Sequence, residues 1–139
     1  MATVELSFTP LPAHVRTARL VATAVARRSG VDESLLDVVR LAVGEACSRA
    51  VAGHQLHCPA EPVRLSLTDS ADRFEVEVTD NCAPGAGGPA SPDGRGTGQL
   101  MPAGLGIAVI TGLADDVEIS ETAAGTSIRM SWPSAGAVR

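Results

Sequence analysis

The spacing of hydrophobic residues in the first half of the chain predicts one strand followed by two helices. Alternating apolar residues over 4–8 predict the strand. From 13 to 29 apolar residues recur at helical spacing, and Gly30 follows two arginines, which is typical of a helix end. Asp32 can cap a second amphipathic helix that continues to about Gly53.

The second half predicts a hairpin, a short helix and a final pair of strands. The predicted segments are strands at 63–67 and 74–78, a helix at 104–113, and strands at 117–120 and 126–132. We therefore expect one domain over 1–139, a two-layer α/β sandwich whose mixed, mostly antiparallel sheet carries helices on one face. The Gly- and Pro-rich stretch at about 83–102 is too long for an ordinary connection, and indicates a lid, a binding loop or disorder.

Charge and composition exclude several classes of function. The 139 residues carry a net charge of -5, so a clustered basic surface for nucleic acid is not expected. The start of the chain lacks a secretory signal pattern and no apolar run could span a membrane, which predicts a cytoplasmic protein. Lysine and tyrosine are absent, which excludes a GK[ST] phosphate loop and a Schiff-base lysine.

The cysteines and histidines allow a metal or redox interpretation, which we keep as a distant alternative. Three cysteines at irregular spacing predict free thiols rather than a disulfide framework. His54, His57 and Cys58 form an HxxHC pattern, with Cys47 earlier on the helix, but no second ligand pair completes a zinc site. A solvated helix end would explain the histidines, and a thiol among alanines indicates that Cys47 is a core residue.

Two acidic residues interrupt apolar faces. Glu45 lies within about 40° of the apolar stripe of the second helix, and Arg49 follows it at i+4, where the two could form an ion pair. Asp80 keeps the inward parity of the strand before it, although it could also simply begin a turn. Gly104 and Gly106 begin a helix whose free N–H groups suit a phosphate.

These motifs resemble bacterial anti-sigma factors of the serine-protein-kinase type. That family has the Bergerat-type (GHKL) ATP-binding fold, which is shared by histidine kinases, gyrase and Hsp90. The resemblance extends over nearly the whole chain and depends on five segments: LSFTPLPAHVRTARL, LAVGEACSRAV, VTDN, GLGIAVITGLADDVEI and AGTSIRM. It implies binding of ATP or ADP and serine/threonine kinase activity.

The resemblance also implies roles for individual residues. Glu45 matches the general base that takes the proton of a partner's serine as the serine attacks the γ-phosphate. Asp80 matches the aspartate that binds the adenine amino group, and Thr126 matches a threonine near the adenine. The glycines that approach the phosphates are matched by Gly104 and Gly106.

Two departures from the family alter the nucleotide site. The magnesium-binding asparagine is replaced by Arg49, whose guanidinium has no lone pair to offer a cation. The Asp-x-Gly-x-Gly box reads DNCAP from Asp80 onward, so both glycines are missing. Because phosphoryl transfer depends on a divalent ion, we expect magnesium binding and kinase activity to be weak or lost, although Arg49 could supply a positive charge to a nucleotide.

The sequence thus predicts an anti-sigma-factor-like regulator of transcription in a partner-switching system, a pseudokinase with weak or lost ATP binding. The implied partners are a sigma factor and an anti-anti-sigma antagonist. Arg19 aligns with a first-helix arginine of the partner interface, and the resemblance also implies a homodimer formed through the first strand and helix. The main alternative is an active serine kinase that phosphorylates the antagonist.

Overall fold

Two long helices lie on one face of a five-stranded sheet. The computed structural model describes residues 2–80, 109–122 and 125–135. The helices are α1 (Pro12–Ser29) and α2 (Glu33–His57), and the strands are β1 (Ala2–Phe8), β2 (Val63–Asp69), β3 (Arg73–Thr79), β4 (Asp116–Thr122) and β5 (Gly125–Pro133). The strand order is β1-β2-β3-β5-β4.

This architecture confirms the predicted two-layer α/β sandwich, with one refinement. Every pair of neighbouring strands in the described sheet is antiparallel, so this sheet is not mixed. The 83–102 loop lies outside the described residues, and a single domain over 1–139 stays a prediction. Within the described ranges no helix is both long and apolar enough to cross a membrane.

Local signals fix where α1 ends and α2 begins. Gly30 adopts a left-handed conformation with φ 91°, and the N–H groups of Gly30 and Val31 bond to carbonyls in the last turn of α1. The Asp32 carboxylate then accepts a bond from the Ser34 N–H at 3.0 Å. Hydrogen bonds from the Ser34 side chain and backbone lower the pKa of Asp32. Both predicted helix boundaries are therefore confirmed.

The second helix is one turn longer than predicted, because it continues past Gly53 to His57. The His54 side chain is fully buried, and its Nδ1 lies 2.8 Å from the carbonyl oxygen of Glu61. Burial of this ring anchors the last turn, so the glycine does not end the helix. The histidines therefore do not share one solvated helix end: His57 is exposed and His54 belongs to the core.

The hydrophobic core lies between the helices and the inward face of the sheet. The rings of Phe74 and Trp132 are stacked with centroids 6.3 Å apart. The Trp132 indole N–H donates to the carbonyl of Leu113 at 3.2 Å, which holds the helical segment at 109–113 against β5. Alternating burial along β2 and β3 leaves the opposite face in contact with solvent.

Candidate functional site

The carboxylate of Asp80 is held at the point where β3 ends beside the start of β5. The Asp80 N–H donates to the Thr126 carbonyl at 2.9 Å. In return the Thr126 N–H donates to Asp80 Oδ1 at 3.1 Å. The Asp80 side chain is only 14% exposed. The structure thus brings together the two residues predicted to contact an adenine.

This arrangement requires a glycine at position 125, which sequence reasoning missed. Gly125 has φ 154°. A Cβ built there would lie 2.1 Å from the Asp80 carbonyl oxygen and 2.7 Å from Oδ1. Only a residue without a side chain lets β5 pass this close to the carboxylate. A glycine at the start of a strand, directly before Thr126, was the available signal.

Arg49 reaches Asp80 across the gap between α2 and the sheet. Its Nη1 lies 3.9 Å from Asp80 Oδ2, and its side chain is 27% exposed. The expected pairing of Arg49 with Glu45 is wrong, since the ion pair that Arg49 makes is with Asp80. Asp80 is largely buried and Glu45 is only half-buried, so water screens the attraction of Asp80 for the guanidinium less.

The guanidinium of Arg49 is incompletely satisfied. Its Nε is buried without a hydrogen-bond acceptor in the part of the chain that the structure describes. Leaving a buried donor unpaired costs roughly 1–3 kcal/mol. The ion pair with Asp80 therefore leaves this donor unsatisfied.

Glu45 lies one turn before Arg49 on α2 and is half-buried. Its predicted orientation toward the sheet stays a prediction, since Leu41, one turn before it on the same side of α2, is 49% exposed. Gly104 and Gly106 lie outside the described residues, so their predicted contacts with phosphates stay predictions. Of the predicted site residues, the structure brings together Asp80, Thr126 and Arg49, and Glu45 lies one turn before Arg49 on α2.

Arg19 of α1 packs over α2 at Gly44, another position that sequence reasoning missed. A Cβ on Gly44 would lie 2.7 Å from Arg19 Cδ, so the missing side chain makes room for the arginine. The Arg19 Nε is buried without an acceptor in the described chain. Beneath it, burial raises the pKa of the Cys47 thiol to about 12, while the charge of Arg19 acts in the opposite direction. Cys47 is therefore a core thiol and not an activated nucleophile.

The metal interpretation of the HxxHC pattern gains no support from the geometry. His54 is buried and bonded to the backbone, and Cys58 is disulfide-bonded, so the expectation of three free thiols is wrong for Cys58. Across residues 2–80, 109–122 and 125–135, no three His, Cys, Asp or Glu side chains are grouped as metal ligands.

Magnesium, which the resemblance implies, does not fit the residues that the structure brings together. Arg49 stands where the resemblance implies a magnesium-binding asparagine. Its guanidinium has only donor hydrogens, and this cation already lies beside Asp80. The base end fits better, because Asp80 and Thr126 form a fixed, mostly buried pair. The described residues thus fit the base of a nucleotide better than they fit a magnesium ion.

Residues 8–132 match the model of a family described as "Histidine kinase-like ATPase domain". Among solved structures, the fold is similar to that in the crystal structure of the RsbU and RsbW domains of Rv1364c from Mycobacterium tuberculosis, with a TM-score of 0.68 and 14% sequence identity. That match covers 100% of the present chain and 34% of the Rv1364c chain. No curated protein matches. The chain belongs to the histidine kinase-like ATPase domain family.

Proposed function

We propose that this protein is an anti-sigma-factor-like regulator in a partner-switching system. It binds a sigma factor, an anti-anti-sigma antagonist, or both, and its binding of ATP is weak or lost. Family membership and the five sequence segments that resemble such anti-sigma factors support this role. The observation that carries the proposal is the contact of Arg49 with Asp80 at 3.9 Å.

That contact joins two positions which have separate tasks in the related kinases. Arg49 replaces the metal-binding asparagine, and Asp80 matches the carboxylate that receives the adenine. An adenine that bonds to Asp80 must compete with a cation already beside it. A magnesium ion would have to bind beside the Arg49 guanidinium, in a site that lacks the asparagine ligand. Both effects lower the affinity for magnesium nucleotides and leave a scaffold for binding proteins.

A groove between α1 and α2 supports the binding of a partner. It has a volume of about 550 Å³ and is lined in part by Arg16, Arg19, Ser48 and Gln55, with no acidic residue in its lining. The α1 helix contains four arginines and no acidic residue, whereas the whole chain has a net charge of -5. This surface suits acidic groups on a partner protein.

The first strand supports self-association. β1 lies at the edge of the sheet, so among the described residues one side of its backbone has no partner strand and could pair with another strand. Its inward residues Val4, Leu6 and Phe8 are incompletely covered, and Val4 is 39% exposed. We include a homodimer through β1 and α1 in the proposal.

The second candidate is a serine kinase that acts on the antagonist, and the position of Glu45 favours it. Glu45 is half-buried on α2, one turn from the cation that contacts Asp80. An active kinase would transfer radiolabelled phosphate from ATP to the antagonist, and Glu45→Gln would abolish the transfer. Transfer that persists in Glu45→Gln would exclude this residue as the base.

The proposed function is tested by calorimetric titration of the purified protein with the sigma factors and candidate antagonists of the source organism. We expect binding of one sigma factor without added nucleotide, and displacement of that sigma factor by an antagonist. Arg19→Ala should weaken the binding, whereas Arg40→Ala, on the exposed part of α2, should not. Failure of every sigma factor and every antagonist to bind would overturn the proposal.

A further inference from the structure

Because the described residues do not fit magnesium, a nucleotide bound here would need another positive charge beside its phosphates. We propose that Arg49 replaces the metal ion as the neutralising charge. On this view the site binds nucleoside phosphates without a divalent cation, and Arg49 moves from Asp80 to the phosphates when it does. The inference rests on the proposed function only in its assignment of Asp80 and Arg49 to the nucleotide site.

The ion pair between Arg49 and Asp80 is easily exchanged. The separation of 3.9 Å between Arg49 Nη1 and Asp80 Oδ2 exceeds the roughly 3.2 Å limit of an N–H···O hydrogen bond. The Arg49 side chain is also 27% exposed, so water screens the attraction. A ligand needs to displace only this loose contact in order to recruit the guanidinium.

A phosphate group offers Arg49 more than Asp80 does. The buried Nε of Arg49 has no acceptor in the described chain. Guanidinium groups bind phosphate through two parallel N–H···O bonds, and these charge-assisted bonds are among the strongest in proteins. Transfer to a phosphate would therefore satisfy the Nε donor, which the contact with Asp80 leaves unpaired.

Asp80 does not depend on Arg49 for its position. The two hydrogen bonds with Thr126 and the tight approach of Gly125 hold its backbone and Oδ1. When Arg49 leaves, these interactions keep the carboxylate in place. The exchange thus moves one long side chain and no secondary structure.

Magnesium should not assist such binding. A magnesium ion bound to the phosphates would compete with the guanidinium for the same oxygens and would repel it. In a site where Arg49 supplies the charge, metal-free nucleotide is the preferred form of the ligand. This order of preference is the reverse of that expected when an asparagine ligates the metal.

The inference is tested by titrating the protein with ADP and with inorganic pyrophosphate, each in EDTA and in excess magnesium. We expect ADP to bind in EDTA at least as tightly as in magnesium. Arg49→Asn should weaken metal-free ADP binding by about tenfold or more, as expected for the loss of charged hydrogen bonds. Arg49→Lys should weaken it less, because the charge is kept. Adenosine, which has no phosphate, should not lose affinity in either variant.

Arg40→Asn is the matched control, because it removes the same charge from α2 at an exposed position that pairs with Asp37. It should leave ADP binding unchanged, and circular dichroism should show that all variants are folded. The inference is overturned if the unmodified protein binds ADP only with magnesium, if it binds no ADP at all, or if Arg49→Asn binds metal-free ADP normally. Sigma-factor binding, measured separately, would then show whether the proposed function survives.

Discussion

Arg49 on α2 and Asp80 at the end of β3 form an ion pair with 3.9 Å between Nη1 and Oδ2. This contact connects the helical layer to the sheet beside the hydrogen bond that the Thr126 N–H donates to Asp80 Oδ1. The ion pair therefore links the two layers, and it also places a cation beside the carboxylate that is predicted to bind a base. The two roles can be separated by experiment.

As a structural link, the ion pair should contribute little. In a double-mutant cycle with Arg49→Gln and Asp80→Asn, we expect a coupling energy below about 1 kcal/mol, because the pair is long and partly exposed. Asparagine keeps an oxygen that can accept the Thr126 N–H, so the cycle isolates the charge. Urea unfolding of the four proteins measures the coupling. A coupling of several kcal/mol would mean that the pair is much closer in solution.

The close approach of β5 to Asp80 should make Gly125→Ala strongly destabilising. The added Cβ would meet the Asp80 carbonyl oxygen at 2.1 Å in a backbone with φ 154°, and neither the backbone oxygen nor this φ adapts easily. We expect a loss of more than about 2 kcal/mol in the free energy of unfolding, as is typical of strained backbone positions. Chemical denaturation measures this loss.

Gly53→Ala is the control for this substitution. A Cβ at Gly53 meets nothing within 4 Å, and the residue lies inside α2. Alanine should therefore stabilise the protein by up to about 1 kcal/mol through helix propensity alone. Equal effects of the two substitutions would show that the steric argument at Gly125 is wrong.

Much of the fold could be predicted from the sequence because its signals are local. The alternation in β2 and β3, the Gly30 stop and the Asp32 cap each act within a few residues. The one misplaced helix boundary, at Gly53, arose because burial of His54 is a tertiary effect. A glycine in a sequence pattern does not reveal whether the next turn has a partner in the core.

The site was predicted less completely, for a related reason. The sequence indicated Glu45, Arg49 and Asp80, but it favoured the Arg49 partner that was nearest along the helix. The actual partner, Asp80, lies far away in the chain and becomes a neighbour only when α2 packs on β3. Gly44 and Gly125 were missed because their importance lies in the atoms opposite them.

The buried thiol of Cys47 should make stability fall in alkali. Burial raises its pKa from an ordinary 9.0 to about 12, so above about pH 9 the unfolded chain releases this proton while the folded protein keeps it. The free energy of unfolding should then decrease toward pH 12, by up to about 1.4 kcal/mol per pH unit. The absence of lysine and tyrosine leaves few other groups to titrate there.

The control is Cys47→Ala, which should lose this part of the pH dependence even if its stability at neutral pH is lower. Unfolding in urea at pH 8, 9 and 10 would give the slopes, and only the slopes are compared. Identical slopes in the two proteins would show that the thiol ionises equally well in the folded state.

Because Arg19 of α1 packs over Gly44 of α2, we expect substitution of Gly44 to weaken partner binding by displacing Arg19. In Gly44→Ala the new Cβ would lie 2.7 Å from Arg19 Cδ. Because a flexible side chain can move away, and because alanine favours the helix, we expect stability within about 1 kcal/mol of the unmodified protein. The displaced arginine should nevertheless weaken partner binding as Arg19→Ala does.

Binding of the sigma factor or antagonist by Gly44→Ala, by Arg19→Ala and by the double variant tests this route. If Gly44 acts only by positioning Arg19, the double variant should bind no more weakly than Arg19→Ala alone. Gly53→Ala, on the same helix with open space around it, should bind normally. Normal binding by Gly44→Ala would show that the position of Arg19 over α2 does not matter to the partner, and additive losses would give Gly44 a contact of its own.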